Sequence, residues 1–221
     1  GAAEIDPGNL QFARQARHRL PAEFVRDVAL QAGGRLVDRR GGPSVKPPQP
    51  EGYYRHLNFP PRSYRPDMDD DARRRGVYVH WQRQFLHPML RAFDAPTRES
   101  CTAQRTISNT PLAALVLLND PVFLDAARGL ARTTAGIEDD RDRLVHAWRR
   151  AVVRPPSESE VAVLERLLAE SRRSFASDPG RAAALSGEAP DPANPEDVVE
   201  LAAWTQVARA LLNLHETYTR E

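Results

Sequence analysis

The chain is 221 residues long, with 41% hydrophobic and 28% charged residues, a composition that is typical of a globular protein and excludes a disordered tail or a fibre. Lys and Arg (31) nearly balance Asp and Glu (30), so bulk charge gives no reason to expect binding of nucleic acid or anionic lipid. The longest uncharged stretch, residues 106–119, is too short and too polar to span a membrane.

The first 42 residues predict helical structure. Within residues 21–36, apolar side chains recur at helical spacing, and Pro21 suits the first turn of a helix. Residues 43–76 predict an extended connector instead, because seven prolines within residues 43–66 remove backbone donors and block long helices. Several tyrosines interrupt these prolines, so we expect the connector to lie ordered against a surface.

Residues 77–109 combine an ambiguous element with a loop. Val77, Val79 and Trp81 alternate as in a strand, whereas Tyr78, Trp81 and Phe85 share one face of a helix. The length of the segment favours a helix that runs up to Pro88.

Residues 110–221 predict a helical bundle. Thr110 and Asp120 each precede a proline, as N-cap residues do, and Ser157 with Glu160 forms the pattern of a capping box. A stripe of apolar residues follows each of these predicted helix starts, and another lies in residues 141–152. Residues 198–212 predict a helix with a wider apolar face. The predicted fold is mainly α: one domain over residues 1–221, with a helical bundle in the C-terminal half, a Pro- and Tyr-rich extended segment, and little or no β structure.

Motifs for several chemistries are missing from the sequence. It contains no C-x-x-C-H, so covalent c-type haem is excluded within this segment, and no zinc-protease, serine-hydrolase, Walker or dinucleotide-binding motif. The single cysteine excludes an internal disulfide and a Cys-rich metal cage. Residues 1–110 carry a net charge of +6 and residues 111–221 one of −5, which predicts an internal interface or a docking surface.

A few polar residues remain as candidates for a site. His80 and His87 lie seven positions apart, on one side of a helix if the segment is helical, but hydrogen bonding is a commoner role for such histidines than metal binding. Cys101 is a nucleophile only if a histidine lies nearby, and a buried, inert cysteine is the default. Asp94 and Arg105 flank it at a spacing that a loop can close into an ion pair, a structural role more often than a catalytic one.

Two segments carry a family resemblance: FDAPTRESCTAQR (Phe93–Arg105) and NTPLAALVLLNDPVFLDAAR (Asn109–Arg128). In them the chain resembles the C-terminal Planctomycetes-specific domain that lies downstream of a cytochrome c module in large exported proteins. Residues 17–30, 41–54 and 211–221 support the resemblance. At Ala113 the chain departs from the family, which has Gln there.

The resemblance implies a larger parent protein outside the cytoplasm, with haem c in an upstream module and this chain as its C-terminal portion. It implies no established activity. It points to a candidate cluster of polar residues, for which packing and loop locking are an equally good explanation: Asp94, Cys101, Arg105, Asn109 and Thr110.

Three functions are compatible with these observations. The first is a non-catalytic interaction domain that docks other domains of the parent, the cytochrome c module among them. The second is a substrate-binding or catalytic domain for polysaccharide, coupled to the upstream haem, with stacking surfaces from Tyr53, Tyr54, Tyr64 and Trp81. The third, nucleic-acid binding, ranks last because aspartates directly precede the one dense arginine run, residues 73–75.

Overall fold

The computed structural model describes residues 2–15, 17–57, 60–189 and 194–220. Its fold is mainly α, which confirms the predicted class. The helices are α1 (Ala2–Ile5), α2 (Ala22–Ala32), α3 (Pro88–Ala92), α4 (Pro111–Asn119), α5 (Pro121–Thr133), α6 (Asp140–Val152), α7 (Glu158–Ala176), α8 (Pro179–Ser186), α9 (Pro195–Leu212) and α10 (His215–Tyr218). Two short 3₁₀ turns cover Asp70–Arg73 and Gly76–Tyr78.

The two strands of the described chain bring its ends together. The strands β1 (His18–Arg19) and β2 (Thr219–Arg220) pair in antiparallel fashion, with His18 opposite Arg220. The backbone NH of Leu20 extends this pairing to the carbonyl oxygen of Tyr218 at 2.9 Å. The C-terminal segment is thereby held against the start of α2.

Helix α9 lies at the centre of the bundle. It packs mainly against α5, α7 and α8, and α5 in turn packs against α2. Ala202, Ala203, Trp204 and Val207 of α9 are at most 1% exposed. A helix that is apolar around much of its circumference is stable only when other helices cover it, which explains why α9 occupies the middle.

Local sequence signals place the helix starts where they were predicted. The Asp120 carboxylate accepts a hydrogen bond from the Val122 NH at 2.9 Å at the start of α5. At α7, Ser157 and Glu160 form the complete capping box. Helix α8 was not predicted, although Asp178 caps it through the Arg181 NH at 3.0 Å and Pro179 takes its first position. That Asp-Pro pair was the signal for it.

The predicted helix up to Pro88 is wrong. After the 3₁₀ turn at Gly76–Tyr78 the chain is extended, because it pairs with the connector rather than with itself. The Val45 NH donates to the Tyr78 carbonyl at 2.8 Å, and the His80 NH donates to the Val45 carbonyl at 2.7 Å. These contacts join segments more than thirty positions apart, which a helical pattern cannot register.

Candidate functional site

Asp94 fastens the loop after α3 to strand β1. Its carboxylate accepts hydrogen bonds from the Arg19 guanidinium at 2.6 Å and from the Ser108 NH at 2.8 Å. The backbone of Asp94 is left-handed, with φ 58°, a conformation that Asp tolerates better than most residues. Burial by itself raises the pKa of Asp94, but the bonds from Ser108 and Arg19 outweigh it and hold the pKa below its ordinary value.

Arg105 pairs with α2 and not with Asp94. Its guanidinium forms a two-pronged ion pair with Glu23, with N–O distances of 2.7 and 3.0 Å. Glu23 lies in the first turn of α2, where a carboxylate also interacts favourably with the helix dipole. The predicted Asp94–Arg105 ion pair is therefore wrong, because each partner lies closer to a residue from the N-terminal part of the chain.

The other members of the predicted cluster lie on the surface. Cys101 is exposed, which contradicts the expectation of a buried cysteine. Asn109 and Thr110 are exposed as well, and Thr110 occupies the N-cap position of α4 without a side-chain cap bond. Asp94 bonds to Arg19 and Ser108, whereas Arg105 bonds to Glu23 of α2. These contacts do not bring the five residues together in one site.

His87 is buried at the start of α3, and both of its ring nitrogens have a partner. Its Nε2 lies 3.0 Å from the Pro48 carbonyl oxygen, and its Nδ1 accepts a hydrogen bond from the Met89 NH at 3.3 Å. Burial lowers the pKa of His87 to about 4, the bond to Pro48 opposes the shift, and the charge of Arg26 adds to it. A neutral ring with its proton on Nε2 satisfies both contacts, so this side chain closes a local structure instead of offering a free nitrogen to a metal.

His80 lies on the extended segment, so the two histidines do not share a helix face. Its Nδ1 lies 3.5 Å from the Ser44 hydroxyl. Burial and the nearby charge of Lys46 lower the pKa of His80. Within the described ranges, no three His, Cys, Asp or Glu side chains come together as metal ligands do.

Three of the four candidate stacking residues pack in one aromatic cluster. Tyr54 contacts Tyr53, Tyr64 and Phe85, with ring centroids 5.2 to 6.2 Å apart. The Tyr53 hydroxyl donates to the Leu86 carbonyl at 3.0 Å, and the Tyr64 hydroxyl donates to the Pro47 carbonyl. The Tyr53 bond joins the connector to the segment before α3, and the Tyr64 bond joins two parts of the connector, so these side chains already serve in packing.

Trp81 lies apart from that cluster. Its indole NH donates to the Pro96 carbonyl at 3.0 Å, and the Arg98 guanidinium lies 4.1 Å from the centroid of its ring. Tyr53 and Phe85 line a surface groove of about 390 Å³ beside Arg55, His56 and Arg91. Neither Asp94 nor Arg105 lines this groove, so the aromatic and polar candidates do not converge.

A second groove has lining residues that the sequence analysis did not single out as site candidates. It is a cavity of about 280 Å³ on the surface between α4, α5, α8 and α9, with Phe175 from the end of α7 also in its lining. Its lining residues are Leu118, Asn119, Leu124, Phe175, Arg181, Ala184, Leu185, Gln206 and Arg209. They come from separate helices, so only the packing of those helices brings them together, and no local motif could have revealed the site.

The comparisons with known proteins give a family but no activity. No curated protein and no solved structure matches the chain. None of the helices in the described part of the chain has both the length and the apolar character of a membrane span. A model of the family described as PSD1, a protein of unknown function (DUF1553), matches residues 1–168, which is more than half of the 221 residues. The chain therefore belongs to the PSD1 (DUF1553) family.

Proposed function

We propose that the chain is a single, non-catalytic helical interaction domain of a larger extracytoplasmic protein, in which it docks a cytochrome c module. The domain holds no cofactor of its own in this proposal, and haem c belongs to the module upstream. The resemblance of Phe93–Arg105 and Asn109–Arg128 to planctomycete cytochrome-associated domains supports the identity of the neighbouring module and the location of the parent.

The observation that carries the docking role is the exposed apolar face of α4. The nine-residue sequence of this helix is apolar almost all round, yet only Ala113 and Leu117 are fully buried. Leu112 and Leu115 are 57% and 55% exposed, and Ile107 just before the helix is 63% exposed. Leucines three positions apart share one face of a helix, so water contacts a continuous apolar strip that a partner would cover.

The contacts that the polar candidate residues make support a structural role for the rest of the domain. Asp94, Arg105 and His87 each join two distant segments of the chain through the bonds described above. A catalytic group must present an atom to its substrate, whereas these atoms are occupied by backbone groups or by an opposite charge.

The test uses the intact parent protein with the photo-crosslinking amino acid benzoylphenylalanine in place of Leu115. A matched control carries it in place of Val163, which is similarly exposed, at 52%, but lies on α7. We expect position 115 to crosslink to the cytochrome c module in clear excess over position 163. Equal yields at the two positions, or no crosslink from position 115, would contradict the proposal.

The groove beside Tyr53 favours a second candidate, a polysaccharide-binding domain whose redox chemistry occurs in the parent. Sugar rings stack on aromatic side chains, and Arg55, His56 and Arg91 supply polar groups next to Tyr53 and Phe85. This candidate is weaker because the ring of Tyr54 packs against other rings and Trp81 lies elsewhere. Binding of a soluble oligosaccharide that Tyr53→Ala abolishes would favour it over the docking role.

A further inference from the structure

The groove between α4, α5, α8 and α9 combines an apolar floor with a basic rim. Phe175 is buried beneath it, and Leu118, Leu124 and Leu185 are half-buried along its sides. The polar lining residues are Asn119, Arg181, Gln206 and Arg209, with no carboxylate among them. This composition is unexpected in residues 111–221, whose net charge is −5.

Neither arginine of the rim forms an ion pair with a carboxylate of the described chain. Arg209 donates to the Leu118 carbonyl oxygen at 2.7 and 3.0 Å and to the Gln206 amide oxygen at 2.8 Å. Arg181 is exposed, its one side-chain hydrogen bond to a described residue is a long one of 3.4 Å to the Ser174 hydroxyl, and its guanidinium lies 5.4 Å from the centroid of the Phe175 ring. Asp178, on the same turn, uses a carboxylate oxygen to cap the Arg181 backbone NH.

The two guanidinium groups also repel each other. Burial lowers the pKa of Arg209, and the positive charge of Arg181 lowers it further. By contrast, Arg172 on α7 is paired with both Asp140 and Glu200. A negatively charged group between Arg181 and Arg209 would remove the repulsion and form charge-assisted hydrogen bonds.

The groove continues the exposed apolar strip of α4. Leu112, Leu115 and Leu118 follow one another at three-residue spacing, and Leu118 is already part of the groove wall. The helix is nine residues long, which extends the apolar surface by about 14 Å. The combined surface is an open strip, whereas small-molecule sites enclose most of their ligand.

We infer that this groove binds an acidic amphipathic helix of a partner protein, with its apolar side chains on the α4 strip and its carboxylates on Arg181 and Arg209. Helix-in-groove recognition requires such an apolar track, and the uncompensated arginines select acidic flanks. Nucleic acid fits less well, because an apolar floor offers nothing to phosphates and the surrounding half of the chain is acidic. The inference rests on the proposed docking role and adds the chemistry of the partner.

The experiment measures fluorescence anisotropy of a labelled synthetic helix with leucines on one face and glutamates on its flanks, added to the 221-residue chain. We expect Arg181→Glu to weaken binding about tenfold or more, because a charge attraction becomes a repulsion. A peptide with Gln in place of Glu should lose a similar factor, and added salt should weaken binding of the acidic peptide. The variant is expected to fold, since a Glu in the first turn of α8 suits a helix N-terminus.

The matched control is Arg166→Glu, which makes the same charge change at an exposed position on α7 outside the groove. Equal losses in the two variants, or equal affinity for the Gln and Glu peptides, would overturn the inference. It would also be overturned by a single-stranded RNA that binds more tightly than the peptide and loses affinity in Arg181→Glu. Self-association that Arg181→Glu abolishes in sedimentation velocity would assign the groove to a second copy of the chain instead.

The two proposals can fail separately. If position 115 does not crosslink in the parent but the acidic peptide binds through Arg181, the docking of the cytochrome c module fails and the groove chemistry stands. If position 115 crosslinks and Arg181→Glu has no effect on peptide binding, only the acidic-helix inference fails.

Discussion

At the scale of single residues, polar side chains in this protein hold distant segments together. Asp94 joins the start of the loop between α3 and α4 to β1, Arg105 joins a later part of the same loop to α2, and His87 joins α3 to the connector. Asp94 and His87 are largely shielded from water, and so is Glu23, the partner of the more exposed Arg105. Removing the partner therefore costs the desolvation of the group that remains, which is larger than the net gain of an average hydrogen bond.

The burial of His87 predicts a pH dependence. The native ring stays neutral down to its pKa of about 4, whereas the unfolded ring takes up a proton below about 6.5. The unfolded state thus binds more protons between these values, so stability is lost as the pH falls from about 6.5 to 4, by up to about 3 kcal/mol. Urea unfolding of wild type and His87→Gln at several pH values should show the stability advantage of the wild type shrinking by that amount.

A pH-independent difference between the two proteins would contradict this prediction. Comparison with the variant is needed because Asp120 works in the opposite direction. Burial raises the pKa of Asp120 to about 6, so its contribution to stability falls as the pH rises from about 4 to 6. Both proteins contain Asp120, and its contribution cancels in the difference.

At the scale of elements, the end of α2 packs closely against α5 because glycine stands where the two backbones meet. A Cβ on Gly129 of α5 would overlap the carbonyl oxygen of Gly33, and a Cβ on Gly33 would overlap that of Ala126. Both neighbours are backbone atoms, which cannot move without separating the helices. The close approach therefore depends on glycine at these two positions.

We expect Gly129→Ala to destabilise the protein, although the same change in an open helix stabilises by about 1 kcal/mol. The steric overlap with the end of α2 should outweigh that gain and leave a net loss of about 1 to 3 kcal/mol in chemical denaturation. Gly136→Ala is the control, because no atom lies within 4 Å of a Cβ there and its φ is not left-handed. A Gly129→Ala protein as stable as this control would show that the helices can separate at little cost.

At the scale of the whole molecule, the connector is fixed to the bundle by arginines. Arg26 of α2 is fully buried and donates to the carbonyl oxygens of Ala72 and Arg74. Asp125 of α5 binds Arg73 of the connector at 2.8 Å and Arg35 at 3.1 Å. Val45 and Val79 then belong to the same buried apolar cluster as the helices.

Arg26→Met should therefore loosen the connector as well as destabilise the protein. The substitution leaves two buried carbonyl groups without donors, and we expect a loss of about 3 kcal/mol in unfolding free energy. Limited proteolysis within residues 60–75 should accelerate. Arg83→Met, at an exposed position, should change neither measurement. Unchanged proteolysis in Arg26→Met would contradict the anchoring role.

The sequence by itself determined the mainly α class and most helix starts, because caps such as Ser157 with Glu160 and Asp120 with Pro121 act within one turn of chain. It also indicated an extended connector from its prolines. Only tertiary structure decided that the chain around Val79 pairs with Val45 of the connector instead of forming a helix. It also decided that Asp94 and Arg105 have Arg19 and Glu23 as partners. These contacts join residues that are far apart in the chain, and the same is true of the groove that Arg181 and Arg209 line. Patterns among neighbouring residues do not depend on such contacts and therefore cannot predict them.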